Sequence, residues 1–567
     1  MGLRLTRPPR GARVGWRATL WVASIAVALA SCSVGRSQGG DPVTQGTPTD
    51  AAEREVAGRF YERTAAGDLV ERAVPSRVPP PGDVAPVHPV TDARVADSLR
   101  GADAAREASL ADVASAPRAA RLVPEDLTRR ARAYHVGVEH FTDAALAEFV
   151  AGVGALEGFR VIARLAPGAE WTALMAPVPN LTPIELPGVQ YIWTEDITEI
   201  GIDGSFRMTA RMGDRGLLLR RALFVDRVRR YYPEVSPAEL DALEHLPVGP
   251  ASRPGVLPDS VMRRFPSIMY MNQGLVEADG AQAVAAAIAL ARGAPLHEAM
   301  LYLEGGNVLL GTLPSGEPYA LVGRDSAAIA RAVLAYHHAR PVSEEDAVTA
   351  MAKDLGVDRA HVFVVEQPGV FHLDMAMTLL RPGMVVLNDA REALRLQTRW
   401  LRDDHEAWRP QRLAAASQDD YREALRLWQD AGHDVQETIE RLQKYAERFA
   451  GYEARTLADL EAAGLSVVRV PGRFLHPTRP WDRDIMNFVN GESGVNPRGR
   501  TYFITQGGDP RAERLMAERL LSPAIGLDRL YVAPRLVSRD TLWEKGGIGC
   551  RVKAEGEVVA ARPGRTP

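Results

Sequence analysis

The chain contains 567 residues, of which 46% are hydrophobic and 25% are charged, so it is neither collagen-like nor wholly disordered. This length suits one large domain with extensions. The 68 basic and 72 acidic residues give a net charge of −4, and this balance argues against a nucleic-acid partner, because phosphate binding needs a basic surface. We therefore expect a globular protein that does not bind nucleic acid.

The N-terminal segment has the features of an export signal. Residues 1–31 carry five arginines and no acidic residue, and the apolar run over residues 20–30 is too short to span a bilayer. These features predict a signal peptide over residues 1–31. The segment L-A-S-C that ends at Cys32 resembles the lipobox of bacterial lipoproteins. The resemblance implies that Cys32 is lipidated and anchors the protein to a membrane of the cell envelope, on the periplasmic or the outer surface. An ordinary cleaved signal peptide is the alternative.

The next segment, residues 32–124, is rich in Ala, Arg, Pro, Gly and Asp and has few aromatic residues. Weak helical patterning occurs near residues 51–74 and 92–114, but neither stretch could bury much apolar surface alone. The composition predicts a low-complexity tether that is partly helical or disordered.

The remaining residues, 125–567, have the pattern of an α/β domain. Short apolar runs of strand length alternate with helical segments. Residues 390–463 depart from this alternation, because Val435, Ile439 and Leu442 recur there at helical spacing, so this stretch is expected to be a helical insertion. The candidate strands are residues 159–165, 189–193, 308–313, 361–365, 371–379, 384–387, 465–470, 502–505 and 530–532.

Cys550 is the strongest candidate for a reactive residue. The chain has 2 cysteines, and if Cys32 is lipidated, Cys550 is a lone free thiol in an exported protein. It follows the glycine-rich segment 545–549, where the backbone can approach a ligand closely. We therefore consider Cys550 a candidate nucleophile. A small buried apolar residue is the alternative.

Two further segments carry residues suited to acid–base chemistry and cation binding. His372 and Asp374 fall in a candidate strand, whose two-residue period would place both side chains on one face. Trp193 and Asp196 lie at the end of another candidate strand, where an acid beside a large aromatic ring could form one wall of a cation pocket. A surface histidine or a capped strand end would give the same patterns, so each pair is ambiguous alone.

A thiol, a histidine and two carboxylates form a set that can hydrolyse a guanidinium group. Two acids can hold the planar cation through paired hydrogen bonds and leave its central carbon open to attack. A thiolate can add to that carbon, and a histidine can protonate the departing ammonia and then deprotonate a water molecule. The local signatures of serine hydrolases, nucleotide-binding loops and common zinc sites are absent from the sequence. The motifs therefore favour covalent thiol chemistry.

Together these segments resemble the guanidine-modifying (pentein) superfamily, most closely the catalytic domain of the protein-arginine deiminases. The resemblance covers roughly residues 125–555, with the motifs in the same order, and it implies a five-bladed α/β propeller of ββαβ units. The matching segments are Trp193–Gly201 for a W-x-x-D-x-x-E-I-G motif, Asp214–Leu217 for an R-G-L segment, Gly305–Asn307 with Tyr319–Gly323 for a hairpin, His372–Asp374, the helical stretch, and Cys550.

The resemblance also implies roles for single residues. Trp193 would line the arginine side chain of the substrate, and Arg215 would contact the substrate backbone. Glu304 resembles a glutamate that orients the histidine in free-arginine deiminases, and we include it among the substrate-site residues. The implied catalytic set is Cys550, His372, Asp196 and Asp374.

The sequence departs from the protein-arginine deiminases at positions that concern calcium and peptide binding. The vertebrate enzymes need calcium, and Glu199 retains one type of calcium ligand. Ile197, however, stands where an acidic residue is expected, and Gly213 replaces a second substrate-contacting arginine. Calcium dependence and recognition of a peptide backbone stay open, while the chemistry itself is expected to need no cofactor.

Three functional hypotheses follow. The leading one is an envelope-tethered protein-arginine deiminase that converts arginine residues of a peptide or protein into citrulline and ammonia through a covalent thiouronium intermediate on the cysteine. The second is a hydrolase or amidinotransferase acting on a small guanidine such as arginine or agmatine. The third is a catalytically silent lipoprotein that uses the pentein fold for binding.

Overall fold

The computed structural model describes residues 58–75, 87–165, 169–186, 192–210, 216–245, 261, 264–265, 278–368, 372–411, 417–474, 486–544 and 546–560. These residues belong to one compact unit, Ala51–Pro567. The predicted signal peptide, Cys32 and Arg215 lie outside the described residues.

The segment predicted to be a tether contributes regular structure. β1 and β2 pair as an antiparallel hairpin, and Thr91 caps α1 by accepting a hydrogen bond from the backbone N–H of Arg94. Val95 and Leu110 of this helix are buried. The structure thus corrects the expected tether in these stretches, because they bury apolar side chains. The elements are β1 (Arg59–Arg63), β2 (Leu69–Ala73) and α1 (Asp92–Ala111).

Three parallel strands follow. β3 pairs with β4, and β4 pairs with β5. Their side chains alternate between two apolar environments, as in a sheet that is covered on both faces. α2 ends at Gly158, whose φ of 83° is the left-handed conformation that favours glycine. The elements are β3 (Arg129–Val138), α2 (Phe141–Glu157), β4 (Arg160–Leu165), α3 (Ala169–Met175) and β5 (Leu181–Glu185).

The next two sheets share one connection pattern. In each, two strands pair antiparallel and a third returns parallel to the second after a helical connection. The first contains α4 (Thr194–Ile197), β6 (Thr198–Ile200), β7 (Phe206–Met208), α5 (Gly216–Tyr231), α6 (Pro237–Glu244), α7 (Ala278–Arg292) and β8 (Leu296–Glu298). The second contains β9 (Val308–Thr312), β10 (Pro318–Gly323), α8 (Arg324–His338), α9 (Glu344–Leu355) and β11 (Val362–Val365).

The same pattern recurs around the predicted helical insertion. β12 and β13 are antiparallel, and β14 lies parallel to β13 after two long helices. Residues 372–376 form bends and a turn, so within the described residues 372–379 the candidate strand is confirmed only over its last three residues. The elements are β12 (Met377–Leu379), β13 (Met384–Asp389), α10 (Ala390–Ala407), α11 (Gln418–Ala462) and β14 (Ser466–Pro471).

The C-terminal elements join both ends of the described chain to the sheets. β15 and β16 are antiparallel, β17 lies parallel to β16, and β1 pairs with the outer side of β17. β18 runs antiparallel to β3, with Val552 opposite Val136. The elements are β15 (Gly491–Val495), β16 (Thr501–Thr505), α12 (Pro510–Leu520), β17 (Arg529–Val532), α13 (Arg535–Trp543), α14 (Ile548–Arg551) and β18 (Val552–Val558).

The described strands therefore form five sheets, and each contains an antiparallel pair and a parallel third strand. This is a mixed α/β fold. Among the described helices, none is both long enough and apolar enough to cross a membrane.

The ion pair that joins the N-terminal hairpin to α12 offers a test of whether the hairpin belongs to the fold. Arg59 donates two hydrogen bonds of 2.7 Å to Glu513, whose side chain is fully buried. Arg59→Ala leaves this carboxylate without its partner, so we expect the free energy of unfolding to fall by about 3–5 kcal/mol. Urea denaturation followed by circular dichroism measures the change.

Arg72→Ala is the matched control, because Arg72 lies on the same hairpin and pairs with Glu62 in an exposed position. We expect it to cost less than about 1 kcal/mol. Equal, small effects of the two substitutions would contradict the structural role of the hairpin.

Candidate active site

The four predicted catalytic residues, together with the predicted substrate-site residue Glu304, lie at corresponding places in different sheets. Each lies within a few residues of the start of an antiparallel strand pair. A common connection pattern thus delivers the side chains from several sheets to one site. They are Asp196 before β6, Glu304 before β9, His372 and Asp374 before β12, and Cys550 before β18.

Cys550 is buried, with only 2% of the residue exposed. Its thiol donates a hydrogen bond of 2.8 Å to Oδ2 of Asp374. Burial, followed by the negative charges of Asp374 and Asp196, raises the pKa of the thiol well above its ordinary value. The thiol is therefore protonated at neutral pH in the free protein.

Asn490 is a site residue that the sequence reasoning missed. Its side-chain amide donates to the carboxylate of Asp374 and lies 3.2 Å from Sγ of Cys550, and its carbonyl oxygen accepts a hydrogen bond of 2.7 Å from the N–H of Gly549. Asn490 directly precedes β15, so the remaining sheet also contributes a side chain. Asparagine is common in the turns that precede strands, and nothing in the sequence distinguishes Asn490 from an ordinary turn residue.

His372 lies between two carboxylates. Its Nε2 is 2.9 Å from Oε2 of Glu304, and its Nδ1 is 3.5 Å from Oδ1 of Asp196. Burial alone would lower the pKa of His372, but the charges of Glu304 and Asp196 outweigh it and raise the pKa to about 10. The histidine is therefore an imidazolium at neutral pH, held in orientation by Glu304.

The carboxylates of the site are crowded. Burial raises the pKa of Asp196 to about 7, even though the adjacent His372 lowers it. Burial also raises the pKa of Asp374 and of Glu195, and the charge of Asp374 adds to the rise at Glu195. Glu195, Asp374 and Cys550 each present a possible ligand atom within 4.8 Å of the others. This arrangement favours a cationic ligand, whether a metal ion or an organic cation.

Two glycines allow the chain to pass closely under these groups. A Cβ atom on Gly305 would lie 1.9 Å from the carbonyl oxygen of Glu195, and one on Gly306 would lie 2.6 Å from Nδ1 of His372. The Gly305–Asn307 motif in the sequence therefore corresponds to a close backbone approach that side chains would block.

Trp193 lies next to the thiol but already has a cation partner. It packs against the apolar cluster that contains Cys550, and the guanidinium carbon of Arg551 is 4.2 Å from the centre of its ring. A contact between Trp193 and the substrate stays a prediction. Arg215, the other predicted substrate contact, lies outside the described residues.

The prediction that Glu199 is a calcium ligand does not fit the structure. Both carboxylate oxygens of Glu199 lie 2.9 Å from Nζ of Lys553, and both residues are buried. A protein ammonium group thus stands where a metal ion would need to bind this carboxylate.

Comparisons with known proteins find solved structures that are similar to this chain at low sequence identity. No protein-family model and no curated protein matches the chain. The chain is similar to a structure provisionally described as an agmatine deiminase by a structural genomics group, with 13% identity, a TM-score of 0.37, and coverage of 77% of this chain and 96% of that chain. It is similar to the agmatine deiminase of Enterococcus faecalis at 11% identity, with the same TM-score and coverage. Similarities this low do not show a family or a substrate for this chain.

The raised pKa of the Cys550 thiol can be tested by alkylation with iodoacetamide. In a full chain that carries Cys32→Ser, so that Cys550 is the single cysteine, we expect the rate to be still rising at pH 9.0, the ordinary thiol value. Asp374→Asn removes a negative charge beside the sulfur and lowers the pKa. The rate at pH 8 should then increase about tenfold for each unit by which the pKa falls.

The control for this substitution is Asp354→Asn. Asp354 is also buried, but it accepts hydrogen bonds from the backbone of Met300 and Leu301. The Asp354→Asn substitution should therefore leave the alkylation rate of Cys550 unchanged. A rate that reaches its plateau near pH 7 in the unsubstituted site would contradict a protonated resting thiol.

Proposed function

We propose that the protein is a guanidine hydrolase that uses Cys550 as its nucleophile. The observation that carries the proposal is the joint placement of a thiol, an imidazolium and two carboxylates. Cys550 contacts Asp374, and His372 lies beside Asp196. A guanidinium ion is the substrate whose charge and planar N–H groups match two adjacent carboxylates.

In the proposed reaction, the carboxylates of Asp196 and Asp374 accept hydrogen bonds from the substrate guanidinium. The positive charge of the substrate offsets the negative charges that raise the pKa of Cys550, so the thiol loses its proton to solvent as the complex forms. The thiol's hydrogen bond to Asp374 is released in the same step, which frees this carboxylate for the substrate.

The thiolate then forms a C–S bond with the central guanidinium carbon. The imidazolium of His372 donates its proton to one amino group, and the C–N bond breaks to release ammonia and a thiouronium on Cys550. The neutral imidazole next accepts a proton from water, and the resulting hydroxide adds to the carbon. The C–S bond then breaks to restore the thiolate, and the hydroxyl proton passes to the released ammonia through solvent as the ureido product forms.

The contact between Glu304 and His372 favours a small guanidine as substrate. This contact matches the role implied by the resemblance of Glu304 to the glutamate of free-arginine deiminases. Position 213, where the protein-arginine deiminases have an arginine that contacts the substrate, is occupied by glycine in this chain. Hydrolysis of peptidyl-arginine at the envelope is the second candidate, supported by the export features of residues 1–32. Anchoring through Cys32 is part of that candidate.

The five sheets also support a propeller arrangement around the site. Each sheet contains an antiparallel strand pair and a parallel third strand, and each contributes a side chain from the segment before one strand of its antiparallel pair. We propose that the sheets are five blades with Cys550 and its partners at the centre.

Product analysis tests the function. The full chain in detergent is incubated with agmatine, free arginine and an arginine peptide, and ammonia and ureido products are measured. We expect turnover with the small guanidines, and loss of turnover in Cys550→Ala because the C–S bond cannot form. Cys32→Ser removes the other cysteine and should retain full activity.

Turnover of the peptide alone would move the assignment to a protein-arginine deiminase. Transfer of the amidino group to an added amine, without ammonia, would identify an amidinotransferase. A folded protein that turns over none of these substrates would overturn the proposal in favour of a binding protein.

The role of Glu304 predicts a change in the pH dependence of kcat. Glu304 stabilises the imidazolium form of His372, so the alkaline loss of activity follows deprotonation of this histidine. In Glu304→Gln the pKa of His372 falls, and the alkaline limb should move to lower pH by about one to three units. Glu317→Gln, which changes an exposed acid, is the control. An alkaline limb at the same pH in both variants would contradict this role.

A further inference from the structure

A buried lysine close to Cys550 in the chain forms hydrogen bonds with buried acidic residues. Lys553 lies on β18, three residues after Cys550, and only 3% of it is exposed. Its ammonium group donates hydrogen bonds of 2.9 Å to Oε1 of Glu125 and to Oε1 of Glu199. An ammonium group in the interior is costly unless it is paired and hydrogen-bonded, and here it has two carboxylate partners.

The acids around Lys553 form a cluster, which we call the glutamate cluster. Glu195 and Glu492 also act on Lys553 through their charge, and Glu492 is in addition paired with Arg129. Without the ammonium group, several buried carboxylates would face one another with too little positive charge. The members of the glutamate cluster are Glu125, Glu195, Glu199 and Glu492.

The glutamate cluster is connected to the catalytic groups. Glu195 and Glu199 lie close to Asp196 along the chain, at α4 and β6, and a carboxylate oxygen of Glu195 lies within 4.8 Å of one of Asp374 and of the sulfur of Cys550. Lys553 in turn shares a chain segment with Cys550. Its hydrogen bond to Glu199 therefore joins the segment that carries the nucleophile to the segment that carries Asp196, and its hydrogen bond to Glu125 ties both to the segment before β3.

We propose that Lys553 is a positioning residue that acts as a fixed internal cation, so that the site needs no bound metal ion to hold the segments of Asp196 and Cys550 together. The geometry is that of a single cation shared by Glu125 and Glu199, which is the bridging position that a calcium ion with carboxylate ligands would take. The activity measurement in the test rests on the proposed guanidine hydrolase. The measurements of calcium binding and stability do not depend on that function.

The test compares the unsubstituted chain with Lys553→Met, which keeps most of the side-chain volume and removes the charge. The melting temperature, calcium binding by calorimetry, and guanidine hydrolysis are measured in chelator and in calcium at about 1 mM, a concentration that fills weak calcium sites. For the unsubstituted chain we expect the same melting temperature and activity in both, and no binding heat.

Lys553→Met should have a lower melting temperature and at least tenfold lower activity in chelator. Calcium should raise the melting temperature, because the glutamate cluster then has a vacancy for a cation. Lys353→Met is the control: its ammonium group donates to the backbone carbonyls of Val113, Ala114 and Ala116, so calcium should not affect it.

Calcium binding at the glutamate cluster of the unsubstituted chain, or activity that requires calcium, would overturn the proposal. A Lys553→Met protein as stable and active as the unsubstituted chain would also overturn it. If Lys553→Met does not fold, the double variant Lys553→Met with Glu199→Gln removes one acid together with the lysine, and recovery of folding in it would support the proposal. A complete lack of hydrolysis in every protein would count against the proposed function, while the calcium and melting measurements would still decide the role of Lys553.

Discussion

Negative charge buried away from the solvent dominates the electrostatics of the candidate active site. Burial raises the pKa of carboxyl and thiol groups alike, because their ionised forms lose hydration. Around Cys550 this effect is increased by Asp374 and Glu195, which lie within reach of the sulfur. The imidazolium of His372 and the ammonium of Lys553 offset part of the charge. The protein's own cations thus offset part of the negative charge, and the remaining excess favours a cationic ligand.

The connections between strands explain how residues distant in sequence reach this environment. β18 pairs with β3, so the last strand of the chain joins the sheet that β3, β4 and β5 form. Cys550 lies in α14, directly before the first residue of β18. The turn before β12 carries His372 and Asp374, and the N–H of Asp374 donates to the carbonyl of Gly306 at 3.0 Å. The site therefore depends on sheet pairing as well as on its side chains.

The sequence was informative where the signal was local. Apolar runs such as 308–313 and 384–387 correspond to β9 and β13, because short buried strands exclude polar residues. The two-residue spacing of His372 and Asp374 predicts a strand, but these residues lie in a segment of bends and turn that brings both side chains to the site. Asn490 and Lys553 gave no signal, because their roles arise from contacts with residues tens to hundreds of positions away.

A thiol with a raised pKa restricts which substrates can react. A neutral amide entering the site would leave the excess negative charge in place, so Cys550 would stay protonated and weakly nucleophilic. In the reaction we propose, a guanidinium ion would both bind the carboxylates and lower the pKa of the thiol that attacks it, so recognition and activation would depend on the same charge. In this proposed arrangement, selectivity for cations at the reacting carbon would need no separate specificity pocket.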